Sequence, residues 1–120
     1  MPYAITWEPK GVYWKYSGAV TGDEIIEAST AIYGDPRFDD LRYKLVDFSD
    51  ATNVEINETQ VDIIAHQHGA AALSNPHVKN AIVNTSQSAL IDRFIANLSD
   101  SSWEARFFTE LDEANKWLNR

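Results

Sequence analysis

Two kinds of reactive side chain, carboxylates and imidazoles, occur between Asp47 and His77. Asp47, Asp50 and Glu55 are carboxylates in one short stretch, the raw material of general acid–base work. Eighteen Asp and Glu residues in 120 make such clusters expected by chance, so the cluster alone does not designate an acid–base pair. His66 and His68 flank Gln67, and His77 follows Pro76. Helix positions two apart point roughly opposite ways, whereas a shared metal needs i, i+4 spacing. These histidines therefore read as core-edge or surface residues. No Ser-His-Asp order, nucleophile elbow, phosphate-binding loop or dinucleotide glycine pattern is present. The sequence suggests no enzyme, cofactor or metal.

A second set is polar rather than reactive. Asp47, Ser49, Asp50, Thr52 and Asn53 follow a strand-like run, as do Asn84, Thr85 and Ser86. One reading is a partner- or ligand-binding loop beside helix N-termini. The other is local satisfaction of backbone groups, which Asp, Asn, Ser and Thr provide readily. For Thr85 and Ser86 the plain alternative is a helix N-cap. Ser49 and Thr52 are hydroxyls open to phosphorylation in such a loop.

These residues need elements to hold them. Tyr3, Ile5 and Trp7 alternate, and so do Val12, Trp14 and Tyr16, with Glu8-Pro9-Lys10-Gly11 between. That pattern predicts a hairpin with strands near 3–7 and 11–18. Thr21 and Glu24 have capping-box spacing before a helix that ends near Gly34, and a loop over 35–40 follows. A third strand is predicted from about Tyr43 to Phe48. Asn57 and Gln60 cap a second helix whose stripe is Val61, Ile64, Ala65, His68 and Ala72, stopped at Asn75-Pro76. A fourth strand covers Ala81–Asn84. A third helix starts at Ser86, with an apolar face of Leu90, Ile91, Phe94, Ile95 and Leu98. A fifth strand spans Trp103–Phe108, and Thr109–Asp112 caps a last helix bearing Leu111, Ala114, Trp117 and Leu118. The order ββαβαβαβα predicts a single α/β domain over residues 1–120 with a mixed five-stranded sheet and four helices. Its central claim is that the polar tips after Phe48 and Val83 share one rim.

Composition narrows the partners. Net charge is −8 and the pI about 4.7, a field that repels nucleic acid and anionic membrane surfaces. There is no cysteine, so disulfides and thiolate sites are excluded. No basic or long apolar start marks a leader, and no stretch is long enough to span a membrane. A cytoplasmic protein is the expectation. Trp7, Trp14, Trp103 and Trp117, with Tyr3, Tyr13, Tyr16, Phe94, Phe107 and Phe108, are many rings for one small core. They can pack the interior, form an interface with a partner or a second copy in a homodimer, or line a groove for a lipid or other apolar ligand.

The element order resembles the SpoIIAA-like fold of STAS domains, the anti-sigma-factor antagonists. The carriers are the opening hairpin, the Val46-Asp47-Phe48-Ser49 strand end, the Ala81-Ile82-Val83-Asn84 strand and the closing run Arg106–Leu118. That closing run is similar to the tail of STAS/Sec14-like bacterial proteins of unassigned function. The resemblance implies a non-enzymatic, regulatory protein-interaction module acting through the strand-exit loops. Its alternative is a small-molecule or lipid-binding domain with an apolar pocket beneath the second and third helices. STAS antagonists carry a phosphorylatable Ser in an Asp-Ser-Ser-Gly-like segment opening the second helix. Here that place holds Glu55-Ile56-Asn57-Glu58, with neither hydroxyl nor glycine.

Overall fold

The chain reverses first at Glu8–Gly11, where the Glu8 and Gly11 backbones exchange hydrogen bonds of 2.8 and 3.4 Å. This turn joins β1 (Tyr3–Trp7) to β2 (Gly11–Thr21) as an antiparallel hairpin. Gly11 is required there, because an added Cβ would overlap the Tyr43 ring. The computed structural model of the protein describes residues 2–85, 88–98 and 101–120. Beyond the hairpin come α1 (Gly22–Thr30), β3 (Tyr43–Glu55), α2 (Glu58–Ser74), β4 (Lys79–Val83), α3 (Ala89–Asn97), β5 (Glu104–Phe108) and α4 (Leu111–Leu118). The strands lie in chain order across one sheet, and every pairing after the hairpin is parallel.

Local sequence explains most boundaries. Thr21 and Glu24 close a capping box on α1, and Asn57 and Gln60 close another on α2. The buried residues of α2 are Val61, Ile64, Ala65, His68 and Ala72, the stripe predicted from helical spacing. Residues 36–40 form a short 3-10 helix rather than a loop, with Asp35 accepting from the Arg37 N–H. α3 begins after Ser88, whose hydroxyl accepts from the Ile91 N–H. The expected start at Ser86 lies outside the described residues. Glu110 takes the N-cap of α4 and makes no side-chain cap bond, contrary to the capping expected from Thr109.

β2 and β3 differ most from the sequence reading. Both run past the rest of the sheet: β4 pairs only with Tyr43–Asp47, while β2 follows β3 as far as Glu55. The predicted loop after Phe48 is therefore largely strand. Two register shifts, between Lys15 and Ser17 and between Gly18 and Ala19, break the alternation along this extension. Gly18 sits at φ +68, a conformation that favours glycine.

The sheet divides the interior. Val12, Trp14 and Tyr16 share one face with α1 and α2. Leu45, Ala81 and Val83 on the other face meet Ala114 and Leu118 of α4. α3 stands apart in its packing. Its face of Leu90, Ile91, Phe94 and Ile95 is only half-buried, and no residue within the helix is fully buried. Arg93 and Asn97 hold α3 to α2 through Asp62, at 2.8 Å for each bond.

Candidate functional site

A cavity of about 470 Å³ opens under α3. Its walls are sheet residues such as Trp14, Tyr16, Val46 and Ile82, together with Val61 and Ile64 of α2 and Leu90, Ile91 and Phe94 of α3. The extended end of β3 supplies a further wall through Ala51, Thr52, Asn53 and Val54. The mouth is polar: Thr52, Asn53, Thr85 and Ser88 line it and are exposed. An apolar chamber of this size with a few convergent polar groups is the usual form of a small-molecule site, which spans roughly 300–1,000 Å³.

The polar groups at the inner end are Lys44, His68 and Asn80. Lys44 shares a sheet face with Val46 and Phe48, since alternate strand residues point the same way. Asn80 is its cross-strand partner on β4, and His68 descends from the buried stripe of α2. Lys44 is 1% exposed, and its Nζ lies 2.7 Å from His68 Nε2. His68 Nδ1 lies 2.9 Å from the Ile64 carbonyl and 3.2 Å from the Tyr33 hydroxyl. The contact to a carbonyl requires a proton on Nδ1. Nε2 is then the lone-pair side, and Lys44 donates to it.

Aromatic rings box this pair. Lys44 Nζ is 5.2, 5.5 and 5.3 Å from the ring centres of Trp14, Tyr33 and Trp103. The His68 ring meets Tyr33, Phe94 and Trp103 edge to face. Burial pushes the Lys44 ammonium down to about 7. Burial and the neighbouring Lys44 hold His68 well below its ordinary value, against the opposing pull of the Ile64 carbonyl. Burial also raises the Tyr33 phenol to about 12. Ser29 Oγ lines the same cavity and is buried. It lies close enough to Tyr33 to temper that phenol's rise, yet it makes no hydrogen bond of good geometry among the described residues.

The residues singled out from sequence separate into two places. Thr52, Asn53, Asn84 and Thr85 line the cavity. Asp47 lies at the opposite face with Tyr43 and Leu45, fully buried. It accepts from Lys15 Nζ at 2.9 Å, the Tyr13 hydroxyl at 3.1 Å and the Ser49 N–H at 2.9 Å. Lys15 also reaches Asp50 at 3.1 Å and Ser49 Oγ at 3.3 Å. Burial alone would raise the Asp47 carboxyl, but hydrogen bonds from Ser49 and Lys15 outweigh it and hold the group below its ordinary range. Asp47, Ser49 and Asp50 thus form an ion cluster around Lys15, apart from the cavity. The hydroxyl-bearing Ser49 and Thr52 are both exposed. Ser86 lies outside the described residues. The tips after Phe48 and Val83 do share one rim, because β3 and β4 are parallel with Asp47 opposite Val83. His66 and His77 are exposed and His68 is buried, as the i, i+2 argument requires.

Sequence reading assigns no role to Lys44 and reads His68 as a core-edge or surface residue. One signal was available. A lysine inside the apolar run Tyr43-Lys44-Leu45-Val46, two residues before a valine packed against the core, points into the helix-covered side.

The fold is SpoIIAA-like, a mixed five-stranded sheet with four helices. The structure is similar to the crystal structure of an uncharacterised protein of the DUF3478 family with a SpoIIAA-like fold from Shewanella loihica PV-4. That comparison has 15% sequence identity and a TM-score of 0.56, and it covers 97% of this chain and 91% of that one. No protein-family model matches the sequence, and no curated protein matches it. Among the described residues no helix is long and apolar enough to cross a membrane.

Proposed function

We propose that this protein is a non-enzymatic binding domain for a small apolar molecule, held between the sheet and the α2–α3 pair. The carrying observation is the cavity of about 470 Å³, with aliphatic and aromatic walls and an exposed polar mouth. A close-packed interior holds few voids larger than a water molecule. A chamber of this size under a helix with a half-buried apolar face is a place for something else to pack. The expected protein-docking surface on the strand ends has exposed Ser49, Asp50, Thr52, Asn53 and Thr85 in its favour. Thr52, Asn53 and Thr85 also serve the cavity reading as its rim.

Titration with Nile red, whose fluorescence rises in apolar surroundings, tests this reading. Saturable binding to the wild type is expected. Ile91→Trp, on the half-buried face of α3, narrows the chamber and is expected to weaken binding with unchanged far-UV dichroism. Wild-type protein that leaves the dye at its buffer intensity refutes the proposal.

A further inference from the structure

We propose that the occupant is an amphiphile with a terminal carboxylate, a fatty-acid-like monocarboxylate, bound with its carboxylate at the inner end against Lys44. This rests on the ligand-binding reading above and names the ligand's chemistry.

Lys44 lacks a counter-ion. Its ammonium has three donors, and the only acceptor it meets among the described residues is His68 Nε2. No carboxylate among the described residues pairs with it. Asp47, the acidic residue next along β3 on the same strand, points through the opposite face and is occupied by Lys15. The remaining donors face the rings of Trp14, Tyr33 and Trp103. His68 cannot act as the anion, because a neutral imidazole offers one lone pair and no charge. A buried amine without an opposite charge is a standing penalty, and an apolar residue of similar volume would fill the space more favourably. The arrangement makes physical sense when a ligand brings the missing charge.

The cavity also selects which anion. Its inner end supplies few donors: Lys44, the Asn80 amide, one N–H of which goes to the Glu104 carbonyl, and the buried hydroxyl of Ser29, which has no hydrogen bond of good geometry among the described residues. A carboxylate has two oxygens and matches so small a set. A phosphate ester carries more charge and more oxygens than these groups satisfy, and in a phospholipid the phosphate lies mid-molecule rather than at an end. A terminal carboxylate enters first and leaves an alkyl chain along Val46, Ile64, Ile82 and Phe94 toward the rim.

The experiment displaces Nile red from the wild type and from Lys44→Met with decanoate and with decanol, both below their micelle concentrations. A charge-assisted contact predicts that the wild type prefers decanoate about tenfold or more. In Lys44→Met the preference disappears while decanol affinity is kept. Equal displacement by the two ligands in the wild type overturns the inference, and that result needs no variant to fold. A decanoate preference that survives Lys44→Met overturns it as well, by placing the carboxylate elsewhere. Failure of Nile red to bind at all removes the cavity reading itself; binding without a carboxylate preference removes only this inference.

Discussion

Lys44 is the residue whose burial most needs a reason. Its ammonium titrates at 10.5 in an ordinary setting and at about 7 here because burial removes its water. Between those values the unfolded chain binds more protons than the folded one, so stability rises with pH across that window, and below about 7 the full penalty persists. The charged and titratable groups facing it are His68 and Tyr33, neither of which supplies a negative charge near neutrality. Lys44→Met is therefore expected to be more stable than the wild type at pH 7, by up to about 5 kcal/mol. Its advantage should shrink toward pH 10, which chemical denaturation at the two pH values reads directly. An advantage constant with pH would mean that the amine does not titrate as described.

Asp47 carries the opposite expectation. It is buried with three hydrogen bonds and a lysine partner that remains partly exposed. Removing its charge by Asp47→Asn leaves Lys15 with Asp50 as its carboxylate partner and disturbs the start of the β3 extension. The loss should be roughly 2 kcal/mol, below the usual figure for a wholly buried pair because Lys15 keeps some water. Its carboxyl is held below its ordinary range, so this contribution is present above about pH 4 and is lost as pH falls through the folded value. A denaturation midpoint unchanged by the substitution at pH 7 would contradict this.

Among the elements, α3 and the β2–β3 extension decide whether the cavity exists. α3 buries no residue of its own and is tied to α2 mainly through the Asp62 contacts of Arg93 and Asn97. Amide exchange should therefore be faster in α3 than in α2, whose stripe is fully buried. An apolar ligand should slow α3 selectively, as hydrogen-exchange mass spectrometry can show. The extension depends on Gly18. Its φ of +68 has open space around it, so Gly18→Ala meets no steric neighbour and loses only backbone ease, about 1 kcal/mol. A stability equal to wild type would show that the bulge relaxes without it.

Legibility from sequence follows the same division. The α2 stripe, both capping boxes and the opening hairpin were readable because helix and strand periods are regular there. The second half of β3 was not. Its two register shifts remove the period-two pattern, and Asp50-Ala51-Thr52-Asn53 then has the composition of a turn. Four of the eight proposed strand-end residues, Thr52, Asn53, Asn84 and Thr85, line the cavity, and three, Asp47, Ser49 and Asp50, gather around Lys15. Lys44 and His68 lie far apart in sequence, and only the packing of α2 over β3 joins them.

At the scale of the whole molecule, the sheet sorts two chemistries. One face with α4 is packed tightly around Leu45, Ala81 and Val83, with the Asp47 ion cluster at its edge. The other holds a chamber whose inner end is a lone amine and whose outer end is neutral and polar. The sequence reading named an apolar pocket beneath the second and third helices only as its alternative, because a cavity is a property of assembled volumes rather than of a local pattern. The net charge of −8 adds a constraint. An anionic ligand approaches against that field, so higher salt should speed its association by screening the repulsion.

The most direct measurement is an intermolecular NOE experiment on methyl-labelled protein with bound decanoate. Contacts from the alkyl chain to the methyls of Ile64, Ile82 and Ile91, which line the chamber, are predicted. Contacts confined to the exposed Ile63 and Leu73, or no contacts at all, would contradict the account.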